Sequence, residues 1–280
     1  MYSSSWAWPY PEPGALTNPG LPGLLETLYA RYNDPAWLEP DPLVVVRRYS
    51  APADQELTGL VASALALGNA ALIMQAAGTA LAPFGPSPAS TLACMDDRDV
   101  AASLAGFRYR FFDSSDLAPL LCAARDVARR FGSLQDAFLS GADTGEPDYA
   151  QAASAFVRIL CSAAPSSWKL NLLPDPARGS AAKRVFLYLR WMIRRDSVDP
   201  GPWQRADPSH LVVPLDTHMA AACRRLGLID RRSTDLKAAR EAGAAFRAFR
   251  PDDPVRYDFC MTRPGIRPDL DPDECFGRFH

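Results

Sequence analysis

The chain has 280 residues, 48% of them apolar, and a formal net charge of −2 at pH 7. That length allows one large domain or two lobes around a cleft, with a sizeable buried core, and the charge excludes a polycation that would hold nucleic acid by charge alone. The balance is uneven, however: from Pro165 onward there are 20 Lys and Arg against 15 Asp and Glu, whereas the residues before it carry 10 against 17.

Residues 1–22 are rich in Pro, Ser and aromatics and read as a loose or surface-hugging tail, with Trp6 and Trp8 able to pack back on the body. A single helical domain is expected over 23–280. Its first helix runs from Gly23 to Tyr32 and is ended by Asp34-Pro35. From Asp54 a capped helix places Leu57, Leu60, Val61, Ala64 and Leu65 on one face; Gly68-Asn69 interrupts it, and a second helix follows to Leu81. Asn69 reads either as an ordinary cap or as a polar contact to a ligand.

Pro83 to Pro88 is a turn-rich linker, and a short helix spans Arg98 to Ala105. Phe107-Arg108-Tyr109-Arg110-Phe111-Phe112 alternates aromatic and basic residues. Such a block suits stacking and phosphate contacts, and equally suits half-buried packing with snorkelling arginines. Helices are expected at Ser115–Arg130, Ser133–Leu139 and Tyr149–Ala163, with a loop over Gly141–Glu146. Pro165 to Arg178, which holds Trp168, is an irregular approach to the next helix.

The region 165–265 carries the candidate chemistry. Gly179 gives a freely turning backbone and Ser180 an N-cap for a helix reaching Arg194, apolar nearly all round at its centre. Lys183 then falls in a first helical turn. Asp216, after Pro214, starts a second helix that ends at Gly227, so it is a carboxylate at a helix N-terminus. Lys183 and Asp216 can be a surface lysine and a plain cap, or an amine and a carboxylate brought together for catalysis. Lys169, Lys183 and Lys237 are the only lysines beside twenty-seven arginines. A lysine at a nucleophile's position is therefore informative, because arginine stays protonated.

Asp196 to Val213 connects the two helices and contains Trp203. A helix follows over Asp235–Phe249, then a proline-framed helix start at Pro251–Pro254 leads into Val255-Arg256-Tyr257-Asp258. With no internal repeat and almost no strand-like alternation, the fold class is all-α. The cysteines at 94, 122, 161, 223, 260 and 275 are scattered, without zinc or iron–sulfur spacing, and read as reduced core residues. No segment has transmembrane length and Met1–Pro13 lacks a signal peptide's pattern, so a cytoplasmic protein without a membrane partner is expected.

Leu215-Asp216-Thr217-His218 followed by Arg224-Arg225-Leu226-Gly227-Leu228 resembles the segment of the helix-hairpin-helix (endonuclease III-like) DNA glycosylases that carries their essential aspartate. Gly179 to Lys183 resembles the end of their hairpin and the lysine of the bifunctional members. The Lys-to-Asp spacing is similar to that of archaeal 8-oxoguanine glycosylases. The longer stretch with Leu189–Asp196, Pro214–His218 and Asp253–Phe259 resembles more closely a bacterial family of unknown function. The resemblance implies two helical lobes around a cleft, and a DNA base-excision glycosylase with lyase activity acting on damaged double-stranded DNA, nucleoid-associated and without cofactor or iron–sulfur cluster. It implies Lys183 as nucleophile and Asp216 as the carboxylate beside the sugar. Gly179, Ser180, Arg184 and Asn69 would contact DNA or its phosphates. Trp168, Trp203, His218 and Asp258 would form the base pocket. A non-catalytic DNA-binding module, or a hydrolase of another N-glycoside such as RNA or a nucleoside, remains open beside it.

Overall fold

Proline and aspartate set most helix starts. The computed structural model describes residues 19–142, 145–165 and 172–277, so the tail with Trp6 and Trp8, and also Trp168, lie outside the described residues. Helix α1 (Leu21–Tyr32) begins two residues before Gly23, because Pro22 fits the first turn, where its missing N–H costs nothing. A short α2 (Leu43–Val46) precedes α3 (Pro52–Ala64) and α4 (Ala70–Leu81), separated as expected by Gly68-Asn69. Two short helices follow, α5 (Pro88–Cys94) and α6 (Asp97–Ser103). Asp96 caps α6 in a reciprocal box with Asp99.

The aromatic–basic block is not helical. It forms a hairpin of β1 (Arg108–Tyr109) and β2 (Phe112–Asp113), with Arg108 opposite Asp113 and Tyr109 opposite Phe112. Phe107, Tyr109 and Phe112 turn into the core, while Arg108, Arg110 and Phe111 stay exposed. Asp113 then caps α7 (Ser114–Phe131), which α8 (Leu134–Leu139) and α9 (Ala150–Ala163) follow.

Beyond it lie α10 (Lys183–Ile193), α11 (Thr217–Arg225), α12 (Leu236–Phe249), α13 (Asp258–Ile266) and α14 (Pro272–Phe276). The fold is all-α, with this hairpin as the one sheet among the described residues. The buried apolar residues form one continuous cluster from Leu21 to Phe276. Its centre is the packing of α10 on α3. Gly59 permits the close approach, since a Cβ there would lie 2.7 Å from Met192 Cε and 3.4 Å from the Tyr188 ring. Helix α13 packs against α1 and α11. No helix is long and apolar enough to cross a membrane, a statement confined to the described residues.

Two expectations are corrected here. Helix α10 starts at Lys183, not at Ser180. Ser180 bridges to Asp235, and the Leu236 N–H donates to the Gly179 carbonyl at 3.2 Å, so this segment is tied to the start of α12. The chain turns into the helix only through Ala182, in the left-handed region at φ 43°. Trp203 is the second correction. It is 2% exposed, stacks on Phe138 at 5.3 Å between ring centroids, and its Nε1–H donates to Glu56 Oε1 at 2.7 Å. An indole with a buried acceptor is satisfied in the core, so Trp203 does not reach a ligand. Glu56 also accepts the N–H groups of Leu134 and Gln135 at the start of α8. Burial pushes its carboxyl above the usual range despite those donors.

Candidate active site

Four helices, α4, α10, α11 and α13, begin around one cleft of about 470 Å³. Lys183 is the first residue of α10, and Asp216 is the N-cap of α11. Lys183 Nζ lies 3.4 Å from Asp216 Oδ2, and both side chains are about a quarter exposed, at 28% and 22%. Asp216 divides its two oxygens: Oδ1 accepts the Met219 N–H at 2.8 Å, while Oδ2 faces the amine. The cap therefore orients the carboxylate that holds Lys183. Capping of α11 and pairing with Lys183 fall to the same side chain.

Asn69, His218 and Asp258 line the same cleft. Asn69 caps the start of α4, its Oδ1 accepting the N–H groups of Ala71 and Leu72 at 3.0 and 3.3 Å. Its amide nitrogen is left for other partners. His218 is exposed as the second residue of α11, with Gly265 against its ring; a Cβ on Gly265 would stand 2.6 Å from Nδ1. Asp258 opens α13 at the cleft wall and is 4% exposed. Its Oδ2 accepts Arg190 Nη1 at 2.5 Å, whereas its buried Oδ1 has no partner among the described residues. Burial raises the Asp258 pKa to about 6; Arg190 works against that and Asp216 adds to it.

Three of the phosphate candidates lie elsewhere. Gly179, with φ 80°, and Ser180 are exposed but do not line the cleft, held instead by their link to α12. Arg184 turns inward, donating to the Ala64 carbonyl at 3.1 Å with its guanidinium over the Phe112 ring at 5.6 Å. Burial pulls its pKa down to about 10. Arg256, two residues before Asp258, pairs with Glu26 at 3.3 Å and stacks on Tyr29.

A family model for DUF2400, a protein of unknown function, matches residues 41–267. The chain belongs to the DUF2400 family. The matched span takes in the whole cleft wall except Pro40 and Pro268. No curated protein and no solved structure matches the chain.

The DUF2400 cleft also contains residues that sequence reasoning missed. Arg190 grips Asp199 with Nε and Nη2, at 3.1 and 2.9 Å, as well as Asp258. Arg194 extends the cluster to Asp199, Asp253 and Asp196. Asp196 lies in that network; burial pushes its carboxyl up, but Arg194 and two backbone N–H donors bring its pKa down to about 2. Arg263, 1% exposed, pairs with Asp41 at 2.7 Å, and both line the cleft. Arg190 did carry a signal. An arginine inside the apolar run Val185–Ile193 must find buried carboxylates, because its charge cannot be neutralised. Asp41 carried none. Among the described residues no group of three or more His, Cys, Asp or Glu is placed to hold a metal ion, and the cysteines form no disulfide.

Proposed function

We propose that this DUF2400 chain is a DNA base-excision glycosylase with associated lyase activity, in which Lys183 is the nucleophile and Asp216 the carboxylate that steadies the sugar. One observation carries the reading: the amine and the carboxylate, far apart in sequence, stand 3.4 Å apart in a cleft large enough for a single nucleoside. The resemblance of Gly179–Leu228 to the helix-hairpin-helix glycosylases supplies the reaction, and two helical lobes around that cleft are the corresponding architecture.

Cleavage of an N-glycosidic bond builds positive charge on the sugar, and a fixed anion beside C1′ lowers the barrier. The Met219 N–H fixes the Asp216 carboxylate through Oδ1, which supports its reading as that anion. As the glycosidic bond breaks, its electron pair leaves with the base, which takes up a proton. Lys183 then gives a proton to the Asp216 carboxylate, the acceptor nearest its amine; the freed lone pair bonds to C1′, and a further proton from that nitrogen passes to O4′. Ring opening gives an imine with O4′ protonated, and removal of a C2′ proton expels the 3′ phosphate. In this reading Asp258 and His218, which line the cleft, would contact the extruded base. Damaged bases leave the stack most cheaply, so oxidised bases such as 8-oxoguanine are the first substrates to test. RNA or a free nucleoside is the second reading, because the cleft itself accommodates one nucleoside whatever strand carries it.

Borohydride trapping tests this reading, with labelled duplexes carrying 8-oxoguanine, uracil, thymine glycol or an abasic site. A covalent adduct that vanishes in Lys183→Ala and falls sharply in Asp216→Asn is the expected result. Absence of any adduct with DNA binding intact in both variants overturns the catalytic reading and leaves a binding module.

A further inference from the structure

The hairpin beside the cleft leaves an apolar and cationic rim that none of the described residues covers. Among the described residues Phe111 and Leu72 are the exposed large hydrophobics, at 69% and 55%. Phe111 forms the hairpin tip with Arg110, whose guanidinium lies 5.4 Å from the Phe111 ring centroid. Arg110 sits at φ 55°, a conformation that costs a non-glycine residue energy, so the tip is held against local preference. It is held from below: Tyr109 Oη donates to the Leu67 carbonyl at 2.7 Å, and Tyr109 and Phe112 are buried.

The same tip borders the cleft through Gly68. Gly68, with φ 106°, has no room for a Cβ because Arg110 Nη1 rests on it, and Gly68 lines the cleft together with Asn69. Between the hairpin and α4, a groove of about 440 Å³ is bounded by Leu72, Gln75, Thr79, Arg108 and Arg110. Arg110 forms no ion pair with any acidic side chain among the described residues. It stands at the positive end of the twelve-residue helix α4. An uncompensated guanidinium at a helix N-terminus calls for an anion, and an exposed phenyl ring beside it calls for a flat apolar partner. A nucleic-acid strand offers both at the spacing of one nucleotide.

We propose that the hairpin tip and the start of α4 form a docking rim for the nucleic-acid strand that feeds the cleft, with a phosphate on Arg110 and a base stacked on Phe111. The inference rests on the nucleic-acid reading of the cleft but not on its chemistry. Arg108, on the same exposed face, supplies a second phosphate contact. Leu72 closes the apolar edge of the groove.

Fluorescence anisotropy of the full chain tests it, with a labelled abasic-site duplex, its single strand, and an RNA strand of the same sequence, each titrated at several salt concentrations. Arg110→Gln is expected to weaken binding several-fold and to reduce the log–log salt slope by about 1. Phe111→Ser is expected to weaken binding roughly five- to hundredfold with the slope unchanged. Both residues are exposed, so thermal unfolding serves as the control that the variants are folded. Loss with the DNA probes or with the RNA strand alone supports the rim and identifies its strand. Unchanged affinity and slope in both variants overturn it, as does a wild-type chain that binds none of the probes. Failure of the catalytic reading looks different: trapping is absent while the rim variants still lose binding.

Discussion

The two ends of α10 carry cation–carboxylate pairs of opposite design. At its start, Lys183 meets Asp216 through one contact of 3.4 Å with both side chains partly in solvent. Near its end, Arg190 and Arg194, each 3% exposed, are gripped by Asp199, Asp258 and their neighbours through several hydrogen bonds. The buried end uses planar, permanently charged guanidinium forks, which cannot release a proton. The open end uses an amine that can. Arginine is this chain's cation almost everywhere else, and the lysine sets the open end apart.

The sharpest way to break that contrast is Arg190→Leu. It leaves the buried Asp258 carboxylate without its cation and Asp199 with Arg194 alone, a loss of about 3–5 kcal/mol measured by urea unfolding. A loss below about 1 kcal/mol would make the network no more structural than a surface pair. Asp258→Asn comes next and bears on pH. The Asp258 pKa is raised from 3.8 to about 6 in the folded chain, so the native state keeps a proton that the unfolded state has already lost. Stability from this group is full below the ordinary carboxyl pKa and falls as pH rises to about 6. The variant removes that decline, and its unfolding free energy relative to wild type should improve by roughly 1–3 kcal/mol between pH 4 and 7. A flat difference across that window would place the Asp258 charge elsewhere. Trp203→Phe keeps the ring in the core but deprives Glu56 of a donor, at a cost of about 1–2 kcal/mol in thermal unfolding, with no change in trapping. Any selective loss of trapping would return Trp203 to the site. Lys183→Ala should be smallest in stability, under about 1 kcal/mol because the pair is partly solvated, and absolute in chemistry, with no covalent adduct.

What the sequence made legible follows from how locally each feature is determined. Asp216 and Asp235 cap helices as their spacing implies, and Gly68-Asn69 divides α3 from α4, because caps and breaks are decided within a few residues. The cleft's Lys183, Asp216, Asn69, His218 and Asp258 were legible for the same reason or through resemblance. The start of α10 was not. Ser180 is a good local cap, but its backbone is claimed by Asp235, a partner more than fifty residues away. Trp203 was misplaced because only the fold brings Glu56 to its indole. The hairpin at 108–113 was hidden by its length: two-residue strands carry too little alternation to be distinguished from a mixed block.

The cleft wall is assembled from five separate stretches, at 40–42, 66–73, 183–190, 214–218 and 258–268. No fragment of the chain holds it. A ligand seated there touches segments that are distant in sequence, and so acts as a cross-brace on the whole tertiary structure. At a hundredfold excess over its dissociation constant such a ligand adds about 2.7 kcal/mol to the free energy of unfolding. Amide exchange should then slow together in α4, α10, α11 and α13, so that occupancy can be read as global rigidity before any reaction product is known.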